Sequence, residues 1–167
     1  MQQLNSISKT ANVTRDDVIL KAVSKACEQV PDTNAEWLPE QNVMRQFISV
    51  NIETDATTIN DVNSIGLGKI SAARDGENKT KGTFSVYSFA DSSIDSASAI
   101  IKPGQACALT IGGVRKEVVP GADDAPVVQS YMQCTLSCDH RLVDGAVGAK
   151  WLSEFKGFLT NPVTMLL

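Results

Sequence analysis

His140 is the sole histidine of the 167-residue chain. It stands in the run Ser137-Cys138-Asp139-His140-Arg141-Leu142-Val143-Asp144-Gly145-Ala146, four residues ahead of an Asp-Gly step. This is the pattern H-x-x-x-D-G. Imidazole is the one side chain whose ordinary pKa lies near neutrality, which makes His140 the first candidate for a general base. The competing reading is a structural histidine. Asp144 is a good helix N-cap whatever His140 does, and Gly145 has a use for its backbone freedom alone.

A strand and a helix must hold that motif. Val127 to Cys138 reads as the longest strand, with Met132, Cys134, Leu136 and Cys138 on one face. Asp144 should cap a last helix running to about Leu159 that buries Val147, Trp151, Leu152, Phe155 and Leu159, with Pro162 ending it. At the other end, Thr14 with Asp17 three residues later is a capping signal. Ile19, Ala22, Val23, Ala26 and Val30 then recur at helical spacing as far as Pro31. Pro31 to Gln41 reads as a loop with Trp37 buried. Met44, Ile48, Val50 and Ile52 predict a strand with one mainly apolar face. Thr58 with Asp61 suggests a second helix through Val62, Ile65, Lys69, Ile70 and Ala73, weakened by Gly66 and Gly68. Gly68-Lys69 is not a phosphate loop, because Ile70 stands where Ser or Thr is needed. Asp75 to Lys79 is a turn. Strands are expected at Thr83–Ser88, Gln105–Ile111 and Lys116–Val119, with a turn over Gly121-Ala122-Asp123-Asp124. The order α–β–α–β–β–β–β–α with hairpin-like links implies a mixed sheet with helices on one face.

A net charge of −4, with 15 Lys and Arg against 19 Asp and Glu, excludes a general nucleic-acid binder, which needs clustered cations on phosphate. No apolar run approaches the ~18 residues of a membrane span. The start M-Q-Q-L-N-S-I-S-K-T lacks the apolar stretch of a secretory signal. Residues 1–12 are polar and expected to be irregular, with one core domain over 13–167. Cys27, Cys107, Cys134 and Cys138 read as buried thiols in a reducing compartment. Cys134, Cys138 and His140 share a strand parity, but no fourth zinc ligand is evident and the spacing fits no common finger, so no metal is expected.

The segment S-C-D-H-R-L-V-D-G-A-V-G-A-K-W-L, followed by F-L-T-N-P-V-T-M-L-L, resembles the end of the catalytic domain of dihydrolipoamide acetyltransferases, the core-forming component of pyruvate dehydrogenase complexes. The S-C-D-H-R form looks most like the acetyl type. The likeness runs from about Gly82 to Leu167, and from Val13 to Gln46 through V-T-R-D-D-V-I-L-K-A, V-P-D-T-N-A-E-W and V-M-R-Q. It implies an α/β (α+β sandwich) fold, chloramphenicol-acetyltransferase-like, forming a homotrimer or a trimer mixed with related chains. It further implies a soluble protein of the mitochondrial matrix, in a large assembly with other subunits, any transit peptide lying outside this chain. No cofactor is held tightly; CoA and the lipoyl group are the substrates the resemblance implies.

Carried over on the matching positions, His140 is the base that deprotonates the attacking thiol. Asp144 is the aspartate that holds the site through a salt bridge, with Arg141 and Gly145 as motif support. The family's strand ends in a serine that a neighbouring subunit offers to the oxyanion. Here Gly82-Thr83-Phe84-Ser85-Val86-Tyr87-Ser88 puts Tyr87 on that position and Ser88 one residue late. A one-residue slip turns a side chain to the other face, and losing an oxyanion donor costs about 10²–10³-fold in rate. Two further departures are a deletion after Gln46, where Ile52 to Thr58 leads almost at once into the next element, and the missing arginine that pairs with the motif aspartate. Arg141 and Arg45 are the substitutes at hand. The apolar tail Pro162, Met165, Leu166 and Leu167 resembles the anchor between trimers; the alternative is a tail folded back on its own domain. Together these readings imply an acetyltransferase-like core subunit with reduced or lost acetyl transfer, against the alternative of an active domain using His140.

Overall fold

The computed structural model describes residues 13–121 and 124–166, so the irregular segment expected over 1–12 lies outside the described residues, as do Ala122, Asp123 and Leu167. Helix α1, Arg15–Gln29, begins where the sequence predicts. Thr14 caps it, and the Thr14 N–H donates to Asp17 Oδ2 at 2.8 Å in a reciprocal capping box. Ile19, Ala22, Val23, Ala26 and Val30 are all buried. Helix α2, Leu67–Arg74, packs beside α1, where Arg74 pairs with the fully buried Asp17 at 3.0 Å. Helix α3, Gly145–Thr160, closes the fold against α1. Trp151 of α3 is 0% exposed, stacked between Phe84 at 5.5 Å and Phe155 at 5.3 Å.

Beneath the helices lies a five-stranded mixed sheet in the order β4-β3-β5-β6-β9. Its strands are β3 Ile52–Glu53, β4 Thr58–Ile59, β5 Phe84–Ser88, β6 Cys107–Ile111 and β9 Cys134–Cys138. The β3–β5 and β5–β6 pairs are parallel; β3–β4 and β6–β9 are antiparallel. Phe84, Val86, Leu109, Ile111, Leu136 and Cys138 pack with α1 and α3 in one core, so the helices cover one face. Two separate ribbons complete the chain: β1 Ala35–Leu38 with β2 Val43–Gln46, and β7 Arg115–Pro120 with β8 Pro126–Tyr131.

Four local expectations give way. The stretch 31–41 is no simple loop, since it holds a turn of 3-10 helix, Pro31–Thr33, and strand β1, and Trp37 is half-buried. The single strand through Met44 and Ile52 breaks into β2 and β3, with Ile48 95% exposed between them. Asn34 Nδ2 donates to the carbonyls of Phe47 and Ser49, and Asn63 Oδ1 accepts from the Val50 N–H. Those side chains satisfy backbone groups that a strand would give to its neighbour. Thr58 opens strand β4 instead of a helix. Val62 and Ile65 lie in a loop whose carbonyls, with that of Asn63, accept three hydrogen bonds of 2.8–3.0 Å from the buried Lys21 ammonium. The strand expected over Val127–Cys138 is two, β8 paired with β7 and β9 with β6. The chain changes partner at Gln133, whose carbonyl accepts from the Gly112 N–H at 2.8 Å.

The tail also differs. A second 3-10 turn, Pro162–Leu166, follows α3, and Met165 is 2% exposed within its own domain's core. Within one chain Met165 is thus folded back on its own domain, the alternative that the sequence left open. Pro162 is half-buried, and the Leu166 side chain and Leu167 lie outside the described residues.

Candidate active site

Strand β9 delivers the His140 motif, and the loop after it is pinned at both ends. The Asp139 N–H extends the ladder by donating to the Ala106 carbonyl at 2.8 Å, and the Asp139 carbonyl accepts from Leu142 and Val143, each at 2.9 Å. Val143 is buried. Asp144 then caps α3, Oδ1 accepting from the Val147 N–H at 2.8 Å. The capping is what the sequence predicts. Arg141 clasps Asp139 through Nε at 3.0 Å and a terminal nitrogen at 2.6 Å, holding the Asp139 carboxyl below the usual carboxylate range. The Arg141 guanidinium also lies over the Trp37 ring at 5.7 Å. His140 is left exposed at the tip, making no hydrogen bond among the described residues.

His140 borders a polar groove of about 550 Å³ with Trp37, Cys138, Asp139, Arg141 and the 101–105 segment. That segment turns at Pro103-Gly104, where Gly104 has φ +84° and the Gln105 N–H donates to the Lys102 carbonyl at 3.1 Å. A left-handed residue at this place in the turn is glycine's role.

Neither arginine considered for Asp144 reaches it. Arg141 is held by Asp139 and Arg45 pairs with Glu36, so among the described residues Asp144 has a capping role and no ion pair. Around Gly145 the space is open and its φ is not left-handed, so within one chain neither crowding nor a turn demands glycine. The thiols do not gather with His140 as metal ligands: no three metal-donor side chains converge among the described residues.

Tyr87 and Ser88 lie on opposite faces of β5. Four successive pairs, Ser85 to Ala108 through Ser88 to Ile111, run in register with no bulge. Ser88 shares the helix side with Val86, Ile19 and Leu20. Tyr87 faces the other way, opposite Thr110, with the Lys102 ammonium 5.6 Å from its ring centre. It lines a second, largely apolar groove of about 450 Å³ with Phe89, Thr110 and residues 97–103. The two grooves share only the wall Ile101-Lys102-Pro103, so one chain does not bring His140 and Tyr87 into one pocket.

The shared wall is braced by groups the sequence did not single out. Lys102 Nζ donates to Glu53 Oε1 at 2.6 Å, which holds the Lys102 pKa above its ordinary value. Gln105 Nε2 donates to the Gly82 carbonyl at 3.0 Å, and the Ser85 hydroxyl donates to Gln105 Oε1 at 2.7 Å. Pro103-Gly104 was the available signal for a turn here.

The entire chain, residues 1–167, matches the 2-oxoacid dehydrogenases acyltransferase (catalytic domain) family. The chain belongs to that family. It is 39% identical to the dihydrolipoyllysine-residue acetyltransferase component 2 of the mitochondrial pyruvate dehydrogenase complex of Arabidopsis thaliana, over 99% of this chain and 35% of that protein. The chain thus spans about a third of the length of that relative. The match extends over 190 positions, more than the 167 residues here, so the relative carries stretches this chain lacks.

Among solved structures, the fold resembles that of an Azotobacter vinelandii dihydrolipoamide acetyltransferase studied for a serine, a histidine and an asparagine in its catalytic mechanism. The TM-score is 0.84 at 18% identity, covering 99% of this chain and 76% of that one. It resembles equally the cubic core of the pyruvate dehydrogenase multienzyme complex (0.83, 19%, 99% and 77%). Chloramphenicol acetyltransferase is more distant (0.59, 12%, 95% and 78%). The α/β fold with a mixed sheet under helices is the one that the resemblance implied.

Proposed function

We propose that this chain is a dihydrolipoamide acetyltransferase-type core domain of a pyruvate dehydrogenase complex, soluble in the mitochondrial matrix, in which acetyl transfer between a lipoyl group and CoA is reduced or lost. Its domain is residues 13–167. The observation that supports the reduction is the unbroken register of β5, which sets Tyr87 on the groove face and turns Ser88 to the helix side, while the resemblance implies a small hydroxyl at position 87. In the reaction, His140 takes the proton of the incoming thiol and the thiolate attacks the thioester carbonyl. The oxyanion then needs a donor at hydrogen-bond distance. A phenol on a ring held near Lys102 fills the room that the thioester requires. Asp144, with no arginine partner among the described residues, supports the motif as a helix cap and leaves the His140 geometry to the Asp139–Arg141 clasp.

Assembly as a trimer, of identical or related chains, is supported by the separation of the two grooves: in this reading the His140 groove of one copy is completed by the Tyr87 face of another. Exposed apolar groups support it. Ile100 is 90% exposed beside the Tyr87 groove, and Val118 and Val128 face each other in the β7–β8 ribbon at 68% and 62%. Among the described residues, the exposed Val163 side chain is what the tail offers to other subunits. No helix among the described residues is long and apolar enough to cross a membrane.

A second reading, an active acetyltransferase with His140 as base, is favoured by one observation: His140 stands exposed over an open polar groove. Acetyl transfer from acetyl-CoA to dihydrolipoamide, measured under reducing conditions for this chain and its His140→Ala variant, decides between them. Equal background rates from two folded, oligomeric proteins support the proposal. Turnover that vanishes in the variant, and that does not rise on Tyr87→Ser, establishes the active enzyme instead.

A further inference from the structure

Acyl transfer leaves unused two neighbouring thiols, Cys138, which lines the His140 groove, and Cys107, buried behind it. Cys107 of β6 and Cys138 of β9 are directly opposite each other. The neighbouring pair, Ala106 and Asp139, is joined by a backbone hydrogen bond of 2.8 Å. Bonded and non-bonded pairs alternate along an antiparallel ladder, so Cys107 and Cys138 occupy a non-hydrogen-bonded position, where Cα atoms approach to about 4.5 Å. A disulfide accepts Cα separations of ~4.4–6.8 Å. Both side chains point to the helix face, and their sulfurs lie 3.4 Å apart. Gly148 of α3 passes above: a Cβ there would stand 3.8 Å from Cys138 Sγ.

The two thiols differ in access and acidity. Cys107 is fully buried, whereas Cys138 is half-buried and lines the groove. The Cys107 S–H donates to Cys138 Sγ. That bond lowers the Cys138 pKa and raises that of Cys107, with burial raising Cys107 further. Of the other thiols, Cys27 is buried and its pKa is pushed up to about 12. Burial likewise raises Cys134.

We propose that Cys107 and Cys138 form a redox-active dithiol that reacts with small-molecule disulfides entering by the His140 groove. The Cys138 thiolate attacks one sulfur of R–S–S–R; that bond breaks and R–S⁻ leaves with the electron pair. Cys107 gives up its proton and attacks Cys138 Sγ, expelling the second R–S⁻. The two protons lost by the cysteines end on the two leaving thiolates. One protein disulfide forms and one small disulfide is reduced to two thiols.

The test is incubation of the folded full chain with glutathione disulfide, followed by acid quench, intact-mass measurement and peptide mapping. The wild type should lose two hydrogens, yield a cross-linked Cys107–Cys138 peptide and revert with dithiothreitol. Cys107→Ser, or Cys107→Ala should the serine variant fold poorly, should stop at a persistent glutathione adduct on Cys138. Cys138→Ser should form neither product. A Cys138 that stays unmodified in the Cys107 variants, or a wild type in which Cys27 or Cys134 reacts first, overturns the proposal. The readout is independent of acetyl transfer.

Discussion

The loop after β9 and the end of β5 meet the same family pattern under different constraints. Every backbone turn of the 139–144 segment is held by a hydrogen bond that serves folding: the ladder extension at Asp139, the turn closed by Leu142 and Val143, the cap at Asp144. His140 rides on that frame without taking part in it. Tyr87 sits in a strand whose register is fixed by its neighbours, but its side chain meets a groove and the Lys102 ammonium, not the core. The contrast teaches that folding accounts for Asp139, Val143 and Asp144 of the motif, whereas neither the His140 ring nor the Tyr87 ring serves the core, so only the chemistry at those two positions accounts for them. Asp144 is therefore weaker testimony to activity than the residues at positions 140 and 87.

Four changes test this contrast, from the largest expected effect down. Trp151→Ala removes the ring between Phe84 and Phe155 that supports α3, and should cost about 3–5 kcal/mol in denaturant unfolding. A much smaller loss would mean that the motif's frame does not depend on this core. Tyr87→Ser restores a small hydroxyl on the groove face and should raise acetyl transfer by about 10²–10³-fold; an unchanged rate would place the defect elsewhere. Asp144→Ala should cost about 1 kcal/mol of stability through its lost cap, read by thermal or urea unfolding. A stability loss several times larger would reveal a role beyond the cap. Ser88→Ala should alter stability by no more than ~0.5 kcal/mol and leave transfer untouched, because its hydroxyl is on the helix side. Any fall in rate would contradict the assigned face.

What was legible in the sequence is what local chemistry encodes. The Thr14–Asp17 box and the Asp144 cap each act within one helical turn, so both helix starts were readable. Strand parity sufficed to separate Tyr87 from Ser88. The stretch 31–65 was misread because distant side chains, Asn34, Asn63 and Lys21, satisfy its backbone, and spacing alone does not encode such partners. The Cys107–Cys138 pair and the Lys102–Glu53 brace depend on cross-strand register and a loop crossing, which arise only when the sheet assembles.

The packing of α1 against α3 has a consequence in time. A chain grows from its first residue, yet Trp151, which stacks on Phe84 sixty-seven residues earlier, belongs to a helix made after the whole sheet. The part of α1 that packs on α3 stays uncovered until α3 has been synthesised and has left the ribosome. Such non-local closure is slow and exposes sticky surface while it waits. Nascent chains halted before residue 145 should consequently be the ones that engage chaperones, and release of α3 should be the event that frees them.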